Sequence, residues 1–333
     1  MAQHRRRGWV ANGLAAFAIS SIVLTGCSGG GGTDAGATTA STQAEGALRI
    51  GFSPLNLSAP ALTGLAAGLE ALAGERGHEV LVADPDNDAA TQAQQVTSWI
   101  ENGQVDAVWA MALNPAALVP VFEKAQERGV VVLALGTPED YGFAGVQPGI
   151  TFSTIDYETY GADLATATAA CIDERLDGEG RVIFLQDPPG QSGSQQINDA
   201  FSATLAEKAS DAEIVSTLDN GLERLASQTT TLSAIQGNPG ANVFVGQNDE
   251  ASLGALGAVQ QAGLDPQSVC ITGAGGNDEV LGEVESGNLF GVVALQFSQD
   301  IVNSVDQIEK MAADPTADGI QKYVPVATIT VND

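Results

Sequence analysis

Basic residues are scarce in this chain: 13 Lys and Arg stand against 41 Asp and Glu in 333 residues, for a net charge of −28 at pH 7. That deficit excludes nucleic acid as a partner, since binding it needs clustered cations. It also argues against docking on anionic lipid headgroups. Histidine is scarcer still, with only His4 and His78, and aromatics make up 5%. No grouping of His, Cys and carboxylates has ligating spacing, so neither a metal nor any other cofactor is expected. There is no Gly-x-Ser-x-Gly elbow, and neither Cys171 nor Cys270 has a neighbouring His. A hydrolase or a catalytic thiol therefore lacks its means, and the chain reads as a non-enzyme. Apolar residues are at an ordinary 44% and the acids are scattered. A globular fold with an acidic surface follows, whose self-repulsion a saline habitat would screen.

Order of another kind is written at the start. His4-Arg5-Arg6-Arg7 precede an apolar run from Gly8 to Leu24, which ends in Leu24-Thr25-Gly26-Cys27. A positive segment, a short apolar stretch and small residues make a secretory signal. The run is short for a membrane-spanning helix, which needs ~20 residues. The Leu-Thr-Gly-Cys ending resembles a bacterial lipobox, which implies cleavage after residue 26, lipidation of Cys27, and anchoring on the outer face of the cytoplasmic membrane. Residues 27–46, rich in Ser, Gly, Thr and Ala, read as a flexible tether. Cys171 and Cys270 are then an even pair in an exported protein. A disulfide and two separate buried thiols both remain open, because sequence does not supply the Cα separation.

From Ala47 onward strands and helices alternate. Leu48 to Ser53 is a short apolar strand, and Leu62, Leu65, Ala66, Leu69, Leu72 and Ala73 fall on one helical face after it. The same unit recurs through the strands Glu79 to Ala83, Asp106 to Met111, Val130 to Leu135 and Gly149 to Ser153. A second set follows with strands Arg181 to Gln186, Ala212 to Leu218, Asn242 to Gly246, Ser268 to Gly273 and Leu289 to Leu295. A helix from Gln299 to Ala313 and one last strand, Tyr323 to Val331, close the chain. Short continuous apolar strands between helices indicate α/β architecture with parallel sheets covered on both faces. Two sets suggest two doubly wound lobes. Ligands in such sheets bind beyond the carboxyl ends of the strands, here the segments at Ser53, Gly136-Thr137, Gln186-Asp187, Gln247-Asn248-Asp249 and Gly273 to Gly276.

The residues from Ala47 onward resemble the type I periplasmic binding proteins of the ribose-binding and lactose-repressor superfamily. The likeness is carried by Ile50-Gly51-Phe52-Ser53 and a long helix with Gly68, and by Val243-Phe244-Val245-Gly246-Gln247-Asn248-Asp249-Glu250 running into Ala251 to Leu256. Ile271-Thr272-Gly273 with its Gly-rich loop, and Gln296 after the strand Leu289 to Leu295, add to it. The resemblance implies two lobes joined by a three-crossing hinge, residues 47–154 plus 297–325 forming the first and 155–296 plus 326–333 the second. It implies a monomeric substrate-binding protein of an ABC importer, closing on a sugar or polyol and delivering it to a permease driven by a cytoplasmic ATPase. A sensor that presents its ligand-bound form to a receptor or kinase shares the fold and is the alternative. A repressor is excluded by the export signal and the missing helix-turn-helix.

By the same resemblance, Asn248 and Gln296 match hydroxyl ligands of the family, and both residue types offer donor and acceptor. Asn248 could equally cap the helix that follows it. Ser53 and Asn56 lie in the first loop, where an Asx turn is the other reading of Asn56. The family's Asp-Arg pair is replaced by Gly136-Thr137, an Arg by Gln195 and an Asp by Gly275. Its stacking aromatics give way to residues near Ala59 and Pro60, leaving Trp109, Tyr141, Phe143 and Tyr157 as substitutes. The segment Asp187 to Gly193 could also reach a cleft.

Overall fold

The computed structural model describes residues 46–58, 60–188, 191, 193–219 and 222–333. Residues 1–45, which include the expected signal segment, Cys27 and all of the expected tether except Gly46, lie outside the described residues.

Two six-stranded sheets organise the chain. The first contains β1 (Arg49–Ser53), β2 (Glu79–Val82), β3 (Ala107–Ala110), β4 (Val131–Leu135), β5 (Ile150–Thr154) and β11 (Gln321–Tyr323), in the order β11-β5-β4-β3-β1-β2. The second contains β6 (Arg181–Gln186), β7 (Glu213–Asp219), β8 (Val243–Gly246), β9 (Cys270–Gly275), β10 (Gly291–Leu295) and β12 (Val326–Thr330), in the order β12-β10-β9-β8-β6-β7. Every pairing is parallel except that of β10 with β12. The strand order reverses between β1 and β3 in the first sheet and between β6 and β8 in the second, the switch points of doubly wound sheets.

Both faces of each sheet are covered, which is why the central strands read as unbroken apolar runs. In the first sheet Ile50, Phe52, Trp109 and Leu133 pack under α1 (Pro60–Glu75) and α9 (Phe297–Ala313). Val108, Val132 and Phe152 pack on the other face, under α2 (Ala89–Glu101) and α3 (Pro115–Arg128). Strand alternation gives Gly51 to that second face, where an added Cβ would lie 2.7 Å from the Trp99 ring. Only glycine lets the indole come this close to β1.

In the second sheet Phe244, Ile271 and Val292 meet α6 (Arg224–Gly237), α7 (Asp249–Gln261) and α8 (Asp278–Glu285). Phe184, Val245 and Phe290 meet α4 (Tyr157–Leu176) and α5 (Ser194–Lys208). Truncating one of these fully buried Phe side chains to Ala would cost ~3–5 kcal/mol. In this last layer Cys171 of α4 and Cys270 of β9 form a disulfide, with Cα atoms 5.8 Å apart.

Helix ends follow local chemistry. Asp88 caps α2 by accepting from Thr91 N at 2.6 Å, and Asp156 caps α4 by accepting from Thr159 N at 3.1 Å. Pro115 opens α3, and Gly129 ends it at φ 68°, the left-handed conformation a C-terminal cap requires.

The single final strand expected over Tyr323 to Val331 is instead two. Pro325 has no N–H to continue a ladder, so β11 ends in the first sheet and β12 begins in the second. The chain passes between the sheets three times, after β5, after β10 and between β11 and β12. The crossings are bound together: Val324 N donates to Thr154 O at 2.9 Å, and Gln296 N donates to Pro325 O at 2.8 Å. β5, β10 and β11 all leave from their carboxyl ends, so both sheets turn their carboxyl edges toward this junction.

Candidate functional site

The carboxyl edge of the second sheet carries a connected polar network. Gln247, one residue past β8, is buried. Its Oε1 accepts from Asp187 N at 2.6 Å, and its Nε2 donates to Asn198 Oδ1. Asn198 Nδ2 donates to Gln186 Oε1 at 2.8 Å, and Gln186 Nε2 donates to Asp219 Oδ1 at 2.7 Å. A buried amide must be matched on both ends, and this chain of amides fixes the end of β6 against the start of α5. Beside it lies a pocket of about 230 Å³, lined by Gln186, Asp187, Gln191, Gln195 and Asn198 among others.

Asn248 joins this network to α7. Its Oδ1 accepts from Ala251 N at 2.8 Å, the bond of a helix cap, while its Nδ2 donates to the carboxylate of Asp187. One side chain therefore supplies both the cap of α7 and the link to Asp187. Next to it, Asp249 Oδ1 accepts from Gly276 N at 2.7 Å and from Asn277 N at 3.2 Å. A Cβ on Gly275 would fall 2.5 Å from the Asp249 carboxylate, and Gly275 itself sits at φ 120°. The lack of a side chain at Gly275 thus makes room for Asp249 arriving from the neighbouring strand. Burial pushes the Asp249 carboxyl above its usual range, against the opposing pull of the two backbone donors. Burial likewise raises the Tyr160 phenol, with the charges of Asp249 and Asp187 adding to the effect.

The first lobe presents a shallower set. Asn56 is half-buried; its Nδ2 donates to Asn87 Oδ1 at 3.0 Å, and its Oδ1 accepts from Ser58 Oγ at 2.8 Å, which links the loops after β1 and β2. Gly136 has φ 119°, and Thr137 donates to Asp140 Oδ2 from both its N–H, at 2.7 Å, and its hydroxyl, at 3.0 Å. Ser53 is fully buried, and its hydroxyl accepts from Gln92 Nε2 at 3.2 Å. Gln92 also donates to Met111 O at 2.8 Å and accepts from Leu113 N at 2.9 Å. Ser53, expected in the first loop, is the last residue of β1, and its hydroxyl turns inward to a glutamine that ties the loops after β1 and β3 together.

Gln195 is exposed on α5 and donates to Asp199 Oδ1 at 2.8 Å. Gln296 is half-buried at the second crossing, and its Nε2 donates to Ala294 O at 3.3 Å. Two of the aromatic candidates are core residues. Trp109 stacks edge-on against Phe52, and Tyr141 packs on Phe122 and Phe152 while donating to Leu135 O at 2.7 Å. Phe143 packs on the same core. Tyr157 lies over Gly193, where a Cβ would approach its ring to 2.1 Å.

Among the described residues no group of His, Cys, Asp and Glu could hold a metal ion, and no helix is long and apolar enough to cross a membrane. Sequence reasoning missed Gln92 and Asn198, and it read Gln247 only as part of a motif. The signal for all three is a long amide side chain next to an apolar strand end, where burial demands a partner.

A family model described as "Periplasmic binding protein domain" matches residues 50–313. The ribose import binding protein RbsB of Bacillus subtilis (strain 168) is 27% identical over 247 residues, covering 74% of this chain and 76% of that protein. The xylitol-binding protein of Mycolicibacterium smegmatis is 30% identical over 278 residues, covering 82% of this chain and 74% of that protein. Among solved structures, the periplasmic ribose ABC transporter protein from Conexibacter woesei is similar in fold, with a TM-score of 0.71 at 21% identity over 86% of this chain and 93% of that one. A solute-binding protein from Actinobacillus succinogenes with bound D-allose aligns with a TM-score of 0.70 at 21% identity, over 85% of this chain and 98% of that one. With its two α/β lobes and a family match across most of its length, this chain is a substrate-binding protein, not an enzyme, and belongs to the type I periplasmic binding proteins.

Proposed function

We propose that this chain captures a sugar or polyol between its two lobes and delivers it to the permease of an ABC importer. The observation that carries this reading is the relationship to a ribose-binding and a xylitol-binding protein, along 74% and 82% of the chain's length. The site chemistry agrees with it. Asn248, Gln195 and Gln296 each offer donor and acceptor to hydroxyl groups, and Asn56, Thr137 and the backbone at Gly136 and Gly275 lie at strand ends. A ligand touched from both lobes stabilises the closed form in proportion to that double contact. The three bound crossings leave bending as the motion, with 47–154 plus 297–325 moving against 155–296 plus 326–333.

Residues 1–26 serve as the export signal in this reading. Cys27 is lipidated, and residues 27–46 tether a monomeric binder beside its permease, where local concentration is raised. The test is mass analysis of the small molecule released on denaturing freshly purified protein. It is joined to a thermal-shift panel of pentoses, hexoses, polyols and inositols, because a ligand of the folded state raises the midpoint. A hydroxylated compound is expected in both. Release of a non-hydroxylated molecule, with no response to any member of the panel, would overturn the reading.

A further inference from the structure

The carboxyl-end loops of both sheets share one property: they contain no cation. Residues 53–60, 83–88, 111–114, 136–141 and 155–158 of the first lobe hold no Lys, Arg or His. Neither do residues 187–193, 220–223, 247–250, 276–279 and 296–299. Asp or Glu occurs in most of them.

Arg224, which directly follows the loop at 220–223, and Lys322, two residues before the last crossing, are already engaged. Arg224, at the start of α6, donates to Glu250 at 2.9 Å and to Glu279 at 2.8 Å, and these two carboxylates hold its guanidinium firmly protonated. Lys322 of β11 is buried in an ion pair with Asp300 of α9. The positive ends of helices, the other usual anion receptors, are in part filled by the chain itself. Asp88, Asp156, Asn248 and Asn277 cap α2, α4, α7 and α8 from their own side chains. α5 opens at Gly193 without a side-chain cap, and it starts beside Asp187, whose carbonyl accepts from Ser194 Oγ at 3.1 Å.

Resting on the sugar-binding reading above, we propose that this face selects its ligand by charge: it takes uncharged or amine-bearing polyhydroxylated molecules and rejects sugar acids and sugar phosphates. An anion enclosed by the closing lobes would lose water and find no fixed positive partner, only Asp187 and Asp249. A hydroxyl meets amides of either polarity, and a protonated amine in its place meets carboxylates.

The experiment is calorimetry and thermal shift on matched sets: glucose, glucosamine, glucuronate and glucose 6-phosphate; the galactose equivalents; and ribose with ribose 5-phosphate. In each set that binds, the amine is expected to bind within tenfold of the parent sugar or tighter, and the acid and phosphate at least ~10-fold more weakly, the scale of a like-charge juxtaposition. Gln195→Lys is expected to improve the acid relative to its parent by at least ~10-fold, by giving the face one cation. An acid or phosphate that binds the wild type as well as its parent would overturn this inference and leave sugar binding standing. A tight uncharged ligand without hydroxyls would instead overturn the sugar reading and leave the charge rule intact. Silence from every member of the panel, with an anion found in the freshly purified protein, would overturn both.

Discussion

Asn248 has two jobs in this structure, and substitutions can separate them. Its Oδ1 caps α7 through Ala251 N at 2.8 Å, and its Nδ2 is the donor that meets Asp187. Asn248→Ala removes both. Loss of the cap costs ~1 kcal/mol, and loss of a donor to a charged acceptor adds ~1 kcal/mol, since half-buried Asp187 can recover part of the bond from water. The midpoint of thermal unfolding should fall by roughly 2–8 °C.

Asn248→Ser keeps a good cap and should retain stability to within ~1 kcal/mol. Asn248→Asp also keeps the cap, but sets a second carboxylate against Asp187; its stability loss should be present at neutral pH and fade in acid. All three lack the amide N–H. Each should therefore lose ligand affinity by ~1–3 kcal/mol, the cost of leaving a buried ligand hydroxyl or acceptor unmatched. Urea unfolding reads the first effect and calorimetry the second. If Ser and Asp variants bind as the wild type does, Asn248 is a cap only. If the Ala variant unfolds with the wild type, the cap has no energetic role, and the account of this corner is wrong.

The Cys171–Cys270 bridge spans a sequence separation of 99, and on the chain-entropy account closing a loop of that size stabilises by ~4–5 kcal/mol. The Cys171→Ala, Cys270→Ala double variant should lose most of this in urea unfolding, and a loss under ~1 kcal/mol would refute it. Arg49 clasps Asp106 through two side-chain bonds at 2.7 and 3.0 Å, and this pairing holds the Asp106 carboxyl below its ordinary 3.8. A depressed carboxylate stabilises the fold above the unfolded value and loses that contribution as pH falls through the folded one. Asp106→Asn should therefore be less stable than wild type at pH 7, and the gap should close in strong acid; a gap independent of pH would argue against the pairing. Cys27→Ala should abolish lipid labelling and release the protein from the membrane or leave its precursor uncut, and unchanged retention would count against the anchor.

The alternation of strand and helix was readable throughout, because continuous apolar runs such as Val131–Leu135 have few other homes than a covered parallel strand. Strand ends were readable for the same reason, which placed attention on Asn248, Gly275 and Gln296. Side-chain direction was not. Ser53 looks like a loop hydroxyl in the sequence, yet the pairing of Ser53 with Ala110 places it beside Gln92, a residue whose burial depends on tertiary packing alone. The relation between Gly275 and Asp249 was equally hidden, since it joins the end of β9 to the start of α7 across 26 positions of sequence. The split of the last strand could have been found: Pro325 in a run otherwise fit for a strand interior is a contradiction.

β11 and β12, separated only by Val324 and Pro325, finish different sheets. A ribosome must therefore have passed residue 323 before the first sheet, and residue 330 before the second, can reach its final width. β5 waits some 170 positions for the neighbour that covers its open side. Contacts of such long sequence separation form late and slowly. In a nascent chain both sheets therefore stay incomplete until residues 321–330 have been made, and β5 and β10 carry an unpaired edge for all of that time.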